Sequence, residues 1–280
     1  MRNLLTVCAL TLLSNLALAA PPLNILLTND DGYLAPGIQA LRAALLEAGH
    51  KVSLIAPATN QSGSSTSISS QGVAYTSHGN QVWSVTGRPA DAVRLGIGHI
   101  LQDNPPDLVV SGINFGQNVG QDVIISGTVG AAVTAVQLGF PAIAVSAEIN
   151  FNEAASGFPS TLNTFPWAAA LIGDLIQDPR IRLQDSFLNL NFPTQKTPKA
   201  FKQTKLAASS ILSVDFNEMD KGLWRAGYQT NPDDEPDADR ALLAAGYITV
   251  TRLGISYAPA ALSSADLTWI ESLSVETGAE

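Results

Sequence analysis

Two adjacent carboxylates follow the first apolar segment of the chain. Residues 23–28 form a short apolar run that predicts a buried strand, and the run leads directly into Asn29, Asp30, Asp31 and Gly32. These four residues leave the predicted sheet at its carboxyl edge, where open α/β folds bind ligands. Two neighbouring carboxylates repel each other unless a proton or a cation neutralises one of them. The pattern therefore predicts either a cation site or an ordinary solvated Asp-Gly turn.

Two further predicted strands end in polar residues. Residues 57–72, after the second strand, are rich in serine and glycine, and their composition alone favours a flexible linker. Their position at the same sheet edge would nevertheless bring hydroxyl groups to the two carboxylates. The third strand, residues 107–111, is followed by Asn114 and Asn118. Carboxylate, hydroxyl and amide oxygens suit Mg²⁺, Mn²⁺ or Ca²⁺ rather than zinc.

A predicted helix begins at Ser126, Gly127 and Thr128. The free N–H groups and the dipole of a helix N-terminus bind anions, and the alternative is an ordinary Ser/Thr cap. A cation and an anion site on one sheet edge together predict a phosphate site. A metal ion there would polarise a phosphoryl oxygen and lower the pKa of a bound water towards about 7. For Thr128 we expect the backbone N–H, with the hydroxyl as a second candidate donor, to contact the phosphate.

Other catalytic centres find little support in the sequence. The three histidines, His50, His78 and His99, are scattered, which is typical of surface or packing residues and gives no basis for a Ser-His-Asp triad. Cys8 is the only cysteine and lies in the N-terminal apolar segment. A disulfide, a thiol nucleophile and a thiolate metal site are therefore excluded once that segment is removed.

The order of elements predicts the fold class. Strand, helix and strand over residues 23–56 form a βαβ unit, which makes the two strands parallel. The remaining pattern predicts an α/β, Rossmann-like three-layer fold with a mostly parallel sheet and an irregular C-terminal β/helix elaboration. Within that elaboration we expect an acidic loop at residues 231–240, a strand at 247–253 and a short helix at 265–272.

The N-terminus predicts export. Arg2 precedes an apolar core at residues 4–13, and Ala17-Leu18-Ala19 is a small-x-small site. This is the pattern of a secretory signal peptide cleaved after Ala19. A membrane anchor is disfavoured because the apolar run is shorter than the ~20 residues that a membrane span needs. We therefore predict a signal peptide at 1–19, one catalytic domain at 20–280 and a periplasmic or secreted protein with no membrane span.

The charge balance limits the partners. The formal net charge is −9 and only 14% of the residues are charged. Binding to a nucleic-acid duplex needs basic patches, so we do not expect a nucleic-acid partner. An anionic substrate would then need a local source of positive charge or positive potential, either a metal ion or a helix N-terminus.

Short motifs recur in a fixed order along the chain. They are Asn-Asp-Asp-Gly at 29–32, Ala-Pro-Gly-Ile at 35–38, Ala-Pro with Asn-x-Ser-Gly at 56–57 and 60–63, Gly-x-Pro-x-Asp at 87–91, Ser-Gly-Ile-Asn-x-Gly-x-Asn-x-Gly at 111–120, Ser-Gly-Thr-Val at 126–129 and, more weakly, Gly-Tyr-Ile-Thr-Val at 246–250. With these motifs the chain resembles the SurE family, the survival-protein nucleotidases. The resemblance is highly specific over residues 24–146 and poor over residues 150–245.

The resemblance implies a set of site residues. One divalent metal ion, Mg²⁺ or Mn²⁺ with Ca²⁺ as a further option, would be held by Asp30, Asp31, Ser62 and Asn114. Phosphate contacts would come from Asn118, Ser126, Gly127 and Thr128. Catalytic roles would fall to Asp30, Asp31 and Asn118.

The resemblance also implies an activity and an assembly. The substrate would be a small phosphate ester, and the reaction would be hydrolysis of nucleoside monophosphates at the 5′ or 3′ position, with polyphosphate as a further substrate. The family forms homo-oligomers, either dimers or tetramers. Its members are mostly cytoplasmic, so the predicted signal peptide is a departure from the family.

Two other function classes share parts of this pattern. A dinucleotide-dependent oxidoreductase would need a Gly-x-Gly-x-x-Gly turn after the first strand, and residues 29–33 do not supply one. A periplasmic small-molecule binding protein with an α/β fold would suit the signal peptide and the acidic charge. It would bind its ligand without turnover, and it would not require paired carboxylates at a strand end.

Overall fold

The computed structural model describes residues 21–195, 197–232 and 235–255. The predicted signal peptide and the helix predicted at 265–272 lie outside these residues. In chain order the strands are β1 (Asn24–Thr28), β2 (Lys51–Pro57), β3 (Tyr75–Ser77), β4 (Val82–Val85), β5 (Leu108–Phe115), β6 (Ala142–Ala147), β7 (Ser186–Phe192), β8 (Phe201–Thr204), β9 (Leu212–Asp220), β10 (Leu223–Thr230) and β11 (Ile248–Gly254). The α-helices are α1 (Pro36–Glu47), α2 (Pro89–Leu95), α3 (Gly127–Gln137), α4 (Pro159–Leu175) and α5 (Asp239–Ala244).

A nine-stranded sheet forms the centre of the fold, in the order β3-β4-β2-β1-β5-β6-β7-β11-β8. The strands from β4 to β7 run parallel to one another. Strand β3 pairs antiparallel with β4, and β11 pairs antiparallel with β7. The prediction of a mostly parallel sheet is therefore confirmed, with antiparallel pairs near its two edges.

Helices cover both faces of this sheet. Helices α1 and α4 pack on one face and share a core with Ile25 and Leu27 of β1. Helices α2 and α3 pack on the other face, where Leu26 joins their core. Burial on both faces explains why β1 is a continuous apolar run rather than an alternating one. The predicted three-layer arrangement is confirmed.

The carboxyl edge of the sheet has a point where the strand order reverses. Strand β1 lies between β2 and β5, so the chain crosses from one side of β1 to the other. The segments after β1, β2 and β5 and the N-terminus of α3 all lie at this edge. Such a reversal point is the usual place for a ligand in an open α/β sheet.

The α3 face of the sheet changes from apolar to polar towards its carboxyl edge. Val109, Ala144 and Phe187 belong to the apolar core on this face. Ser146 of β6 lies opposite Asn191 of β7, which in turn lies opposite Thr249 of β11. The buried polar residues of this region, the polar end of the α3 face, are Thr28, Ser111, Ser146, Asn189, Asn191, Thr249 and Thr251.

The C-terminal part is an irregular elaboration, as predicted, but one detail of the prediction is wrong. The acidic loop expected at 231–240 gives way to α5 at Asp239, whose side chain is buried. Its carboxylate accepts hydrogen bonds from the N–H groups of Gly120, at 3.0 Å, and Ala207, at 2.9 Å. Asp239, which lies in an acidic, proline-containing stretch, thereby connects the C-terminal elaboration to the segment after β5.

Strands β9 and β10 form a separate antiparallel hairpin. After Leu212, the residues of β9 are all exposed to solvent. The large exposed apolar side chains of the hairpin are Val214, Phe216, Met219, Leu223 and Trp224.

Across the residues that the structure describes, no helix is long and apolar enough to cross a membrane.

Candidate metal and phosphate site

The turn after β1 brings the two carboxylates to the sheet edge. The Asn29 side chain accepts a hydrogen bond from the Gly32 N–H at 3.2 Å and donates to the Gly32 carbonyl at 2.9 Å. Gly32 has φ of +109°, which a residue with a Cβ rarely adopts. A continuing strand would send Asp30 and Asp31 to opposite faces. The turn instead leaves both side chains at the carboxyl edge.

Asp30 is buried against the N-terminus of α3. The Thr128 hydroxyl donates to Asp30 Oδ1 at 2.6 Å. Burial raises the pKa of the Asp30 carboxyl, while the Thr128 hydroxyl and backbone groups of Thr128 and Gly127 act in the opposite direction. A Cβ on Gly127 would lie 2.8 Å from Asp30 Oδ2, so only glycine fits at this helix start. The carboxylate therefore lies beside the start of α3, the end of a helix that attracts anions.

Asp31 is held by the segment at the end of β5. Its Oδ2 accepts a hydrogen bond from the Phe115 N–H at 2.9 Å. Burial, together with the negative charge of Asp30, raises the pKa of Asp31 to about 6. The two carboxylates therefore interact through space, as their adjacency in the sequence predicted. A bound cation would relieve this repulsion.

Asn114 lies near the same end of β5. Its Nδ2 donates to the Gly116 carbonyl at 2.7 Å, and its side chain is buried. This bond fixes the direction of the amide and leaves Oδ1 as the atom that can face a cation.

The serine-rich segment after β2 is fastened to the site. The Gln61 N–H donates to the Asp30 carbonyl at 2.7 Å, and the Ser65 N–H donates to the Ile125 carbonyl at 3.1 Å. Farther along, the Ser69 hydroxyl donates to Asp91 at 2.7 Å. These bonds along its length show that the interpretation of residues 57–72 as a flexible linker is wrong.

Two serines of this segment differ in their surroundings. Ser62, the predicted metal ligand, is exposed, and its N–H donates to the Asn60 side chain at 2.9 Å. Ser64 Oγ is buried and has no hydrogen-bond partner among the described residues. It lies 2.7 Å from the position of a Cβ on Gly127, next to the Asp30 carboxylate. A buried hydroxyl without a partner near the Asp30 carboxylate fits a site that accepts a cation.

The residues predicted to contact phosphate also gather at this edge. Ser126 caps α3 by accepting a hydrogen bond from the Val129 N–H at 3.1 Å, so its hydroxyl performs the ordinary capping role. Gly127 and Thr128 begin the helix itself. Asn118 lies in the segment after β5, and its Nδ2 donates to Ser146 Oγ at 2.8 Å.

The donor set determines which ions the site could hold. The described residues contain no group of three or more His, Cys, Asp or Glu side chains arranged for a metal ion. A cation here would be held by two carboxylates and completed by neutral oxygens of amides and hydroxyls. Such oxygen ligands fit Mg²⁺, Mn²⁺ or Ca²⁺.

Sequence reasoning missed several residues that shape this site. Ser64, Ser146, Asn189, Asn191 and Asp239 were not singled out, although all but Ser64 bond to the segment after β5. The signal for two of them was visible. Asn189 and Asn191 alternate with apolar residues in a strand that is otherwise buried, where an amide needs a specific partner.

Comparisons with known proteins point in one direction. Residues 25–212 match the model of the family described as "Survival protein SurE". A protein named "5'-nucleotidase SurE 1" from Burkholderia lata is 34% identical over 246 residues, covering 82% of this chain and 90% of the relative. A protein named "5'-nucleotidase SurE" from Solidesulfovibrio magneticus is 36% identical over 253 residues, covering 85% of this chain and 94% of the relative.

A solved structure agrees with these matches. The crystal structure of the SurE protein from Aquifex aeolicus superimposes with a TM-score of 0.71 at 29% sequence identity. The match covers 89% of this chain and 99% of the Aquifex chain.

Proposed function

This chain belongs to the survival protein SurE family, and we propose that it is a divalent-metal-dependent phosphomonoesterase that hydrolyses nucleoside monophosphates. The relatives named 5′-nucleotidases support a phosphoric monoester hydrolase. The observation that carries the proposal is the contact between the Asp30 carboxylate and the first residues of α3. A cation ligand and an anion-binding helix end share one place, as a metal-assisted phosphate site requires.

The metal ion would be held by oxygen atoms around the two carboxylates. Asp30, Asp31 and Asn114 would supply ligands, and Ser62 lies on the segment that is hydrogen-bonded to Asp30. Ser64 is an additional candidate because its buried hydroxyl has no partner among the described residues. When bound, the metal supplies Lewis-acid chemistry at the phosphoryl group.

The protein's own groups would bind and orient the phosphate. The N–H groups of Gly127 and Thr128 would donate to phosphate oxygens, and the Asn118 amide would add a neutral donor. The hydroxyl of Ser126 already accepts from Val129, which leaves it available to donate. Donors placed where charge develops in a transition state can each contribute about 10²–10³ in rate.

Phosphate release provides the direct test. Purified protein would be incubated with 5′ and 3′ nucleoside monophosphates, sugar phosphates and polyphosphate, each with Mg²⁺, with Mn²⁺ and with EDTA. We expect release from nucleoside monophosphates in the metal arms and none with EDTA. Binding of these compounds without release would instead favour a small-molecule binding protein. Release that is indifferent to EDTA would contradict the metal dependence.

The proposal extends to export. The pattern of Arg2, an apolar core and Ala17-Leu18-Ala19 supports cleavage after Ala19 and a location outside the cytoplasm. N-terminal sequencing of the protein from its native host should then begin at Ala20. A native N-terminus at Met1 would contradict export.

The proposal also includes self-association. The exposed apolar side chains of the β9–β10 hairpin support a homo-oligomer, because several large apolar side chains exposed on one hairpin are typical of an interaction surface.

A further inference from the structure

Asn118 lies in a segment without regular secondary structure, yet both polar groups of its backbone have partners. Its N–H donates to Asn191 Oδ1 at 2.7 Å. Its carbonyl accepts from Asn189 Nδ2 at 2.8 Å and from Asn191 Nδ2 at 3.1 Å. Two side chains of β7 therefore satisfy the backbone N–H and carbonyl of Asn118, as the backbone of a neighbouring strand would in a sheet.

The side chain of Asn118 is fixed from a different strand. Its Nδ2 donates to Ser146 Oγ at 2.8 Å. Ser146 is fully buried on β6 and lies opposite Asn191 in the register with β7. The backbone and the amide of Asn118 are thus bound to neighbouring positions on one rigid surface.

Apart from their bonds to Asn118, little explains why Asn189 and Asn191 occupy buried positions in β7. Both are fully buried in the middle of the sheet, where asparagine is disfavoured. Asn189 Oδ1 has no hydrogen-bond partner among the described residues, so the bond that Asn189 Nδ2 donates to the Asn118 carbonyl is what compensates for burying the amide. Apolar side chains at positions 189 and 191 would pack better in this core if they did not have to bind Asn118.

We propose that Ser146, Asn189 and Asn191 are positioning residues that hold Asn118 where its amide meets the phosphate of the substrate. This inference rests on the proposed function, because it takes the phosphate contact of Asn118 from it. It adds a role for β6 and β7, which supply none of the predicted ligands. A reacting group that is misplaced by about 1 Å can lose about 10²-fold in rate.

Three variants test the proposal. Ser146→Ala removes the acceptor of the Asn118 amide with little change in volume. Asn191→Leu removes two of the three side-chain bonds to the Asn118 backbone, leaves the one from Asn189, and keeps a similar size. Thr249→Val is the matched control, because Thr249 is buried on the same face opposite Asn191 but its hydroxyl has no hydrogen-bond partner among the described residues.

We expect kcat/KM for a nucleoside monophosphate to fall about 10-fold in Ser146→Ala and about 10²-fold in Asn191→Leu, and to stay at the wild-type value in Thr249→Val. Far-ultraviolet circular dichroism checks that each variant is folded. If Asn191→Leu fails to fold, Ser146→Ala alone decides the outcome.

Repeating the Ser146→Ala substitution in an Asn118→Ala protein distinguishes a positioning role of Ser146 from a general contribution to the structure. In Asn118→Ala, the additional change Ser146→Ala should alter kcat/KM by less than about twofold, because Ser146 acts through a side chain that is no longer there. An equal loss in both backgrounds would overturn the positioning role. Wild-type activity in Ser146→Ala would overturn it as well. A wild-type protein without phosphatase activity would instead overturn the proposed function, and this inference with it.

Discussion

Asp31 carries its negative charge beside a second carboxylate. Burial and the charge of Asp30 raise its pKa to about 6, and burial also raises the pKa of Asp30. A raised carboxyl pKa means that the folded protein binds the proton more tightly than the unfolded chain does. Stability of the metal-free protein should therefore decrease as the pH rises from about 4 towards and through 6.

The first prediction concerns substitution of this pair. Mn²⁺ or Mg²⁺ should raise the melting temperature of the wild-type protein, by an amount that corresponds to about 2.7 kcal/mol at a hundredfold excess over Kd. Asp30→Asn and Asp31→Asn should largely abolish that increase, because each removes one charged ligand. At pH 7.5 without metal, Asp31→Asn should be at least as stable as wild type, since one repulsion is gone.

Differential scanning calorimetry with Mn²⁺ and with EDTA measures both effects. Asp103→Asn is the control, because Asp103 is exposed and lies outside the site. If Asp30→Asn and Asp31→Asn both keep the full metal-dependent increase, the metal does not bind at this pair.

The roles of single residues could be predicted from the sequence where neighbouring residues determine them. Asp30 and Asp31 are adjacent and Gly32 follows them, so their turn could be predicted from three neighbouring letters. Ser64 could not be separated from the other serines of its segment, because its burial beside Gly127 depends on a contact across the fold. Asp239 read as part of an acidic loop for the same reason, since the N–H groups that it binds belong to Gly120 and Ala207.

At the scale of elements, strand positions were predictable and their register was not. Burial on both faces gives β1 a continuous apolar run from Ile25 to Leu27 and gives β5 one from Leu108 to Val110, and a sequence displays such runs directly. The role of Asn189 and Asn191 depends on which residue of another strand they meet. Parallel pairing of β6 with β7 places Asn191 opposite Ser146, and this fact has no local sequence signal.

The second prediction concerns His50, which connects three elements. Its Nδ1 accepts a hydrogen bond from the Leu23 N–H, just before β1, at 3.1 Å, and its Nε2 lies 3.0 Å from the side-chain nitrogen of Gln177, just after α4. Burial lowers the pKa of His50 from its ordinary value of 6.5. The unfolded chain therefore takes up a proton first as the pH falls, and stability should decrease below about pH 6.5.

Denaturation in guanidinium chloride at pH 8 and pH 5.5 measures this effect. In His50→Asn the amide oxygen can accept the Leu23 N–H but cannot titrate, so the loss of stability between the two pH values should be smaller than in wild type. His99→Asn, at an exposed histidine, is the control. Identical pH dependence in wild type and His50→Asn would show that this ring does not contribute.

At the scale of the whole molecule, the β9–β10 hairpin forms a two-stranded sheet that does not pair with the main sheet. A two-stranded hairpin is marginally stable alone in water, and this one exposes most of its apolar side chains. Phe216 and Trp224 are each more than half exposed, at 59% and 56%. Burial of these side chains in a second copy of the chain would stabilise the hairpin and remove the exposed patch.

The third prediction follows from that patch. The wild-type protein should be a dimer or a tetramer by size-exclusion chromatography with light scattering. Phe216→Ser combined with Trp224→Ser should lower its mass towards that of the monomer. Leu46→Ser, at an exposed leucine of α1, is the control and should keep the wild-type mass. A wild-type monomer at all protein concentrations would contradict the proposal of a homo-oligomer.

The contact of Asp30 with the start of α3 makes the affinities for a cation and for an anion interdependent. A phosphate that approaches Gly127 and Thr128 meets groups that already stabilise a carboxylate, and it adds a like charge. A cation at the carboxylates removes that repulsion and should raise the affinity for phosphate. By thermodynamic reciprocity, phosphate must then raise the affinity for the cation by the same factor.

Calorimetric titration of Mn²⁺ with and without orthophosphate should therefore give two different Kd values, the lower one with phosphate present. Equal values would contradict the coupling. With this coupling, the protein would hold its metal more tightly when its product is abundant, and the loss of either ion would weaken the binding of the other. Cofactor retention in this protein would thus respond to phosphate supply, without a second binding site or a change of shape.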